Sequence, residues 1–208
     1  MKNTSAHRVR LLAACGSLIL PLLFSGCETT QARYVESGGT ETIVNLNQIN
    51  IQDWNNAADQ LVTSLLESGV LERAPEQPAI LGISRVVNNT QQQVDTDSLV
   101  KKIRVDLNRT GKVVTTTTIG LGGRAEDPLA KSAAEYDAFM NDQEAVATTR
   151  MPHYSLSGKL LEDRARARDD RQVTYTFQLS LTEIGTGLAV WEDEVQITKL
   201  GRRAAVGW

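Results

Sequence analysis

From Val173 to Leu181 the chain reads VTYTFQLSL, an unbroken alternation of apolar and polar side chains. A period of two sends the apolar side chains to one face of a strand and the polar ones to the other, a pattern that suits a sheet with one covered face and one wet face. The strand is predicted over Gln172 to Thr182. Glu183-Ile184-Gly185-Thr186-Gly187 forms a tight connection into a second strand, Leu188 to Thr198. Tyr154 to Leu161 is a further strand, and Glu162 to Arg171, EDRARARDDR, is read as a solvated hairpin tip. On the strand after that connection, Trp191 is expected to be core.

The first part of the domain alternates helix and strand. Asp53 caps a helix running to Ser68, with Trp54, Ala58, Leu61 and Leu65 at helical spacing and Gly69 as its stop. Ala79 to Val87, AILGISRVV, is apolar and β-branched and reads as a strand that ends at Asn88-Asn89-Thr90, whose side chains bond their own backbone. Thr96 or Asp97 caps a second helix over Ser98 to Arg109, and Lys112 to Ile119 is a strand. Asp127 to Asp142 is a third helical stretch, with Ala133, Tyr136 and Met140 periodic. Between them, Gly120 to Gly123 reads as a flexible loop: the phosphate-cradling pattern GxxxxGK[ST] is absent, and Glu126 and Asp127 repel anions. The order αβαβαβββ gives an α+β fold, a single domain over residues 42–208 with a mixed or antiparallel sheet and helices packed on it.

The N-terminus has a different logic. Lys2, Arg8 and Arg10 precede an apolar run, Leu11 to Phe24, too short and too interrupted by Pro21 to span a membrane. It ends in Leu23-Phe24-Ser25-Gly26-Cys27, which resembles the bacterial lipobox with Phe24 at the place where Leu is usual. Small residues before the cysteine admit the backbone to a peptidase, and the Cys27 thiol takes the lipid. Residues 1–26 are therefore expected to be a lipoprotein signal peptide, with Cys27 the lipid attachment site. Residues 27–41 are expected to be a flexible polar tether, ETTQARYVESGGTE after the cysteine, which reaches about 50 Å when stretched.

Cleavage before Cys27 removes Cys15, His7 and three basic residues, which takes the net charge from −3 to about −6. An acidic chain lacks the basic face of a general nucleic-acid binder, so no nucleic acid is expected. One remaining cysteine permits no intrachain disulfide. With His153 as the one remaining histidine, neither a His-rich metal site nor a Cys-His pair can be built, and no GxSxG turn is present. His153 reads as structural. No catalytic residues, metal or cofactor are expected, and the protein is read as not an enzyme.

Three ordered segments carry a resemblance: RVVNNTQQQVDTDSLVKKIRVDLNRTGKV (Arg85 to Val113), YSLSGKL (Tyr154 to Leu160) and TYTFQLSLTEIGTGLAVWEDEVQITKLG (Thr174 to Gly201). They resemble the LpoB family, lipoprotein activators of penicillin-binding proteins. That resemblance implies a domain similar to the N-terminal domain of TolB, anchored by lipid in the outer membrane and facing the periplasm. The partner implied is a bifunctional class A penicillin-binding protein, whose peptidoglycan synthesis is stimulated without catalysis by the activator. Many family members carry a long proline-rich tether; here the tether is short and has no proline. For the contact surface, Arg85, Asn88, Asn89 and Arg104 are the candidates, where a strand end and a helix present paired donors. The alternative is an envelope assembly lipoprotein of the CsgG or TolB kind with another partner.

Overall fold

The computed structural model describes residues 32–36, 39, 41, 43–119, 125–140 and 150–202. Cys27, the segment before it and the Gly120 to Gly123 loop lie outside the described residues. The elements run α1 (Ile51–Glu67), a short 3-10 turn (Val70–Arg73), β1 (Ala79–Asn89), α2 (Thr96–Arg109), β2 (Val113–Thr115), α3 (Pro128–Met140), β3 (Tyr154–Ala167), β4 (Asp170–Glu183) and β5 (Leu188–Arg202). The five strands form one sheet in the order β2-β1-β3-β4-β5. β1 is parallel to both β2 and β3, whereas β3, β4 and β5 form an antiparallel meander. This is a single α+β domain with a mixed sheet, as the alternation and the element order implied.

The alternation in β4 does what its period requires. Val173, Tyr175, Phe177, Leu179 and Leu181 are all buried, and the residues between them are partly exposed. α1 and α2 close the buried face with Trp54, Ala57, Ala58, Leu61, Leu65, Leu99, Ile103 and Leu107. Trp54 meets Phe177 edge to face, 5.5 Å between ring centroids and 76° between planes, the arrangement aromatic quadrupoles favour. Each such large side chain contributes about 1.5–3 kcal/mol on burial.

The crossovers β1-α2-β2 and β2-α3-β3 travel in opposite directions across the sheet. Right-handed connections then place α2 and α3 on opposite faces. The geometry agrees: Ala130, Ala133, Ala134 and Asp137 of α3 share a groove of about 570 Å3 with Ile80 and Val114, which alternate with the core residues of β1 and β2. The outer side of α3 leaves Leu129, Tyr136, Phe139 and Met140 exposed.

Several boundaries differ from the expectation. Asn50, not Asp53, caps α1; Asp53 is the reciprocal member of a capping box, its backbone N–H bonding Asn50 Oδ1 at 3.0 Å while its carboxylate accepts from the Asn50 N–H at 2.8 Å. Asp95 caps α2, its Oδ1 accepting from Asp97 N–H at 2.9 Å. β2 stops at Thr115, because the Thr117 carbonyl turns away to accept from the N–H groups of Glu126 and Asp127. The charged run after Leu161 is a solvated hairpin tip as expected, but the strands reach further into it: β3 and β4 pair through it to a two-residue turn at Arg168-Asp169. Trp191 packs against the core but is only half-buried, since β5 is an edge strand with no paired neighbour on its outer side among the described residues.

Candidate partner-binding surface

The C-terminal end of β1, the turn before α1 and the bases of β3 to β5 meet at one end of the sheet. Tyr175 is at the centre of that meeting. Its ring is buried, and its hydroxyl donates to the Leu46 carbonyl at 3.3 Å and accepts from Gln92 Nε2 at 2.7 Å. Gln92 also accepts from the Ile49 N–H at 3.0 Å, so one amide side chain pins both the turn and the sheet. Burial pushes the Tyr175 phenol above its usual pKa, helped by the negative charge of Glu162.

Lys199 completes the framework from β5. Its ammonium, 5.5 Å from the Tyr175 ring centroid, binds the Asp53 carboxylate and donates to the carbonyls of Gln48 at 2.7 Å and Asn45 at 3.3 Å. Both charged residues are buried, and their mutual pairing with these extra bonds offsets the loss of water. Glu162 accepts from the Gln91 N–H at 3.1 Å and binds Arg164, which also reaches Asn47 Oδ1 at 3.4 Å. The result is a polar surface, with Asn47, Gln91 and Arg164 exposed, braced from beneath by the buried Tyr175, Lys199 and Asp53 through their bonds to one another and to the backbone of the turn before α1.

The four residues singled out from sequence fare differently here. Asn88 is engaged as the strand terminator: Oδ1 accepts from Thr90 N–H at 3.0 Å and Nδ2 donates to the Gln92 carbonyl at 2.7 Å. Asn89 is exposed beside it and pairs in register with Leu161. Arg85 is exposed where the β1–β3 register shifts between Ile83 and Val86. Arg104 is buried on α2 and is drawn into an ion pair with Glu126 ahead of α3; burial also lowers its pKa. Asn88 and Asn89 thus lie on the surface just described, and Arg104 anchors the approach to α3.

Sequence reasoning missed Tyr175, Gln92, Lys199 and Glu162. Only the buried position of Lys199 in an alternating strand carried a signal, a lysine at an apolar place in the period. His153 accepts the Ile80 N–H at Nδ1, 3.2 Å away, and so performs a structural task. Among the described residues, no group of three His, Cys, Asp or Glu side chains is placed to hold a metal ion.

The model of the family described as the peptidoglycan-synthase activator LpoB matches residues 53–197, from the first turn of α1 into β5. No curated protein matches the chain significantly. Among solved structures, the C-terminal domain of LpoB from Salmonella enterica is 18% identical, covering 70% of this chain and 98% of that one, with a TM-score of 0.41. The corresponding domain from Escherichia coli gives 14% identity, 70% and 98% coverage and a TM-score of 0.42. Lipoprotein GNA1162 from Neisseria meningitidis gives 13% identity, 62% and 88% coverage and a TM-score of 0.37.

Proposed function

Because this chain belongs to the LpoB family of peptidoglycan-synthase activators, we propose that it binds a bifunctional class A penicillin-binding protein and stimulates its synthesis of peptidoglycan. The carrying observation is that the family match over residues 53–197 takes in nearly all of the helices and strands between α1 and β5, so the whole folded domain is the unit of resemblance. The activator makes no covalent chemistry of its own; it acts by binding one conformation of the synthase better than another, which shifts the population toward the active state. The surface around Asn88, Asn89 and the Tyr175 framework supplies rigid, oriented polar groups suited to such docking. Lipid on Cys27 anchors the protein in the outer membrane, with the domain in the periplasm.

Glycan-strand synthesis by the organism's purified class A enzymes, with and without the full-length lipoprotein in detergent, tests this reading. Stimulation of at least one enzyme is expected; no binding and no stimulation of any would sink it. A second reading, an envelope assembly lipoprotein acting as an oligomer, draws on the exposed side chains of Leu129, Tyr136, Phe139 and Met140 on α3. Sedimentation of the same preparation separates the two, since self-assembly without synthase binding favours the second.

A further inference from the structure

The β3–β4 hairpin outruns the core. Every residue from 163 to 172 is exposed, yet the two strands stay in register to the Ala167–Asp170 pair. In sequence the run looks charge-balanced; the pleat sorts it by sign. Arg164 stands opposite Val173, a core residue, so Arg164, Arg166 and Arg171 continue the core face of the sheet. Asp163 and Asp170 alternate onto the other face, where Arg202 of β5 lies 3.8 Å from Asp170.

Two local rules are broken at this tip. Arg166 and Arg171 are direct cross-strand partners, and like charges directly opposite one another destabilise an antiparallel pair. Arg168, in the turn, has φ of 52°, a conformation that glycine adopts at no steric cost and arginine does not. Arg164 is partly neutralised by Glu162, but among the described residues no ion pair reaches Arg166, Arg168 or Arg171. Departures from local consistency that gather at one exposed spot, all with one sign of charge, mark a functional surface.

We propose that this arginine face is the docking surface for an acidic patch on the synthase, in which Asp or Glu carboxylates receive the guanidinium forks of Arg166 and Arg171. The inference rests on the synthase reading above and adds where and by what chemistry the partner is held. Guanidinium groups bind carboxylates in bidentate fashion. The two forks are rooted about 5 Å apart across the strands, close to the spacing of acidic residues one turn apart on a helix. The base of the hairpin is continuous with the polar framework through Glu162, Arg164 and Asn47, so the arginines project from a braced platform. Insertion at a lipid surface draws on large apolar side chains as well as cations, and residues 163 to 172 hold none.

The test uses the full-length lipoprotein in detergent with the purified synthase, and compares wild type with Arg166→Glu, Arg171→Glu and Arg168→Gly. Each reversal is expected to weaken binding by roughly tenfold or more, with added salt weakening the wild-type complex in the same direction. Both reversals replace a like-charge pair by an opposite one, so their thermal midpoints should hold or rise while affinity falls. Arg168→Gly relieves the positive φ and should likewise hold or raise the midpoint while it weakens binding. A purely structural role could not separate the two readouts in this way. Equal synthase affinity for wild type and all three variants overturns the surface and leaves the synthase reading standing. No binding by wild type overturns both. Loss confined to vesicles containing anionic phospholipid, with synthase affinity intact, overturns it in favour of the membrane.

Discussion

Lys199 of β5 grips the Asp53 carboxylate within the first turn of α1, so the last strand of the sheet is tied to the first helix across 146 residues of sequence. Asp53 is already committed to the α1 capping box, and Lys199 also holds the Asn45 and Gln48 carbonyls. One buried ion pair therefore fixes the helix start, the turn before it and the outer edge of the sheet together.

Replacing Lys199 with Met should cost about 3–5 kcal/mol, because it strands the Asp53 carboxylate without its counter-charge in a buried position. The double variant Asp53→Asn/Lys199→Met should recover much of that loss, since no buried charge remains unpaired. Urea denaturation of the four members of the cycle measures both. A single-variant loss under about 1 kcal/mol would mean that water reaches the pair.

Tyr175 makes stability depend on alkaline pH. Its pKa is raised above 10.0 by burial and by Glu162, so the unfolded chain gives up this proton before the folded one does. The contribution is fully present below about pH 10 and is lost as pH rises through the raised folded value. Tyr175→Phe should flatten that decline. At neutral pH it should cost about 1–3 kcal/mol, because Gln92 and the Leu46 carbonyl lose their partner. Denaturant midpoints between pH 8 and pH 11.5 give the comparison, and identical slopes for variant and wild type would refute the assignment. Tyr154, also raised mainly by burial, and Lys102, raised mainly by its hydrogen bond to Asp106, contribute to the slope that the variant keeps.

The elements legible in the sequence were those whose periodicity follows from burial. VTYTFQLSL could only be a half-buried strand, and the Leu99, Ile103, Leu107 stripe could only be a helix resting on something apolar. Glu162 to Arg171 is the solvated hairpin tip that its charges implied, but its strand pairing left no signal: an antiparallel ladder needs only backbone partners, so a strand can run on where no core remains to write its pattern. Trp191 was expected in the core on the strength of LAVW, but sequence does not say which strand is an edge. The polar framework was invisible for a further reason. Tyr175, Gln92 and Lys199 act through pairings 43 to 154 residues apart, which leave no local spacing to read. Arg104 was weighed as a surface donor, whereas on the helix period it falls next to Ile103 and turns inward to Glu126.

Of the described glycines, Gly158 has the least room for a side chain. A Cβ there would stand 2.5 Å from the Gln178 carbonyl oxygen and 2.7 Å from Leu179 Cδ2. The first obstacle is backbone of the neighbouring strand, which cannot rotate aside as a flexible side chain can. Gly158→Ala should therefore cost about 1–3 kcal/mol through overpacking, although alanine is the better strand former of the two. A midpoint of thermal unfolding equal to that of wild type would show that β3 and β4 can separate locally without loss. Gly185→Ala is the control: nothing lies within 4 Å of the Cβ it would add, and its effect should be small.

Cys27→Ala separates anchoring from activation. The thiol is the expected acyl site, and it precedes the first element of the domain, α1 at Ile51, by more than twenty residues. Removing it should abolish incorporation of radiolabelled lipid and partitioning into the detergent phase, while the urea midpoint of the purified domain stays where it was. The same variant should still stimulate the synthase in detergent solution, because the proposed docking surface lies on β3, β4 and the turn before α1 rather than on the tether. In cells the outcome should reverse. A tether of about 50 Å at full stretch holds a lipidated domain close to its membrane, and effective concentration at the synthase falls when that restraint is lost. Lipid labelling that persists in the variant would sink the anchor assignment; loss of stimulation in solution would instead show that the tether takes part in activation.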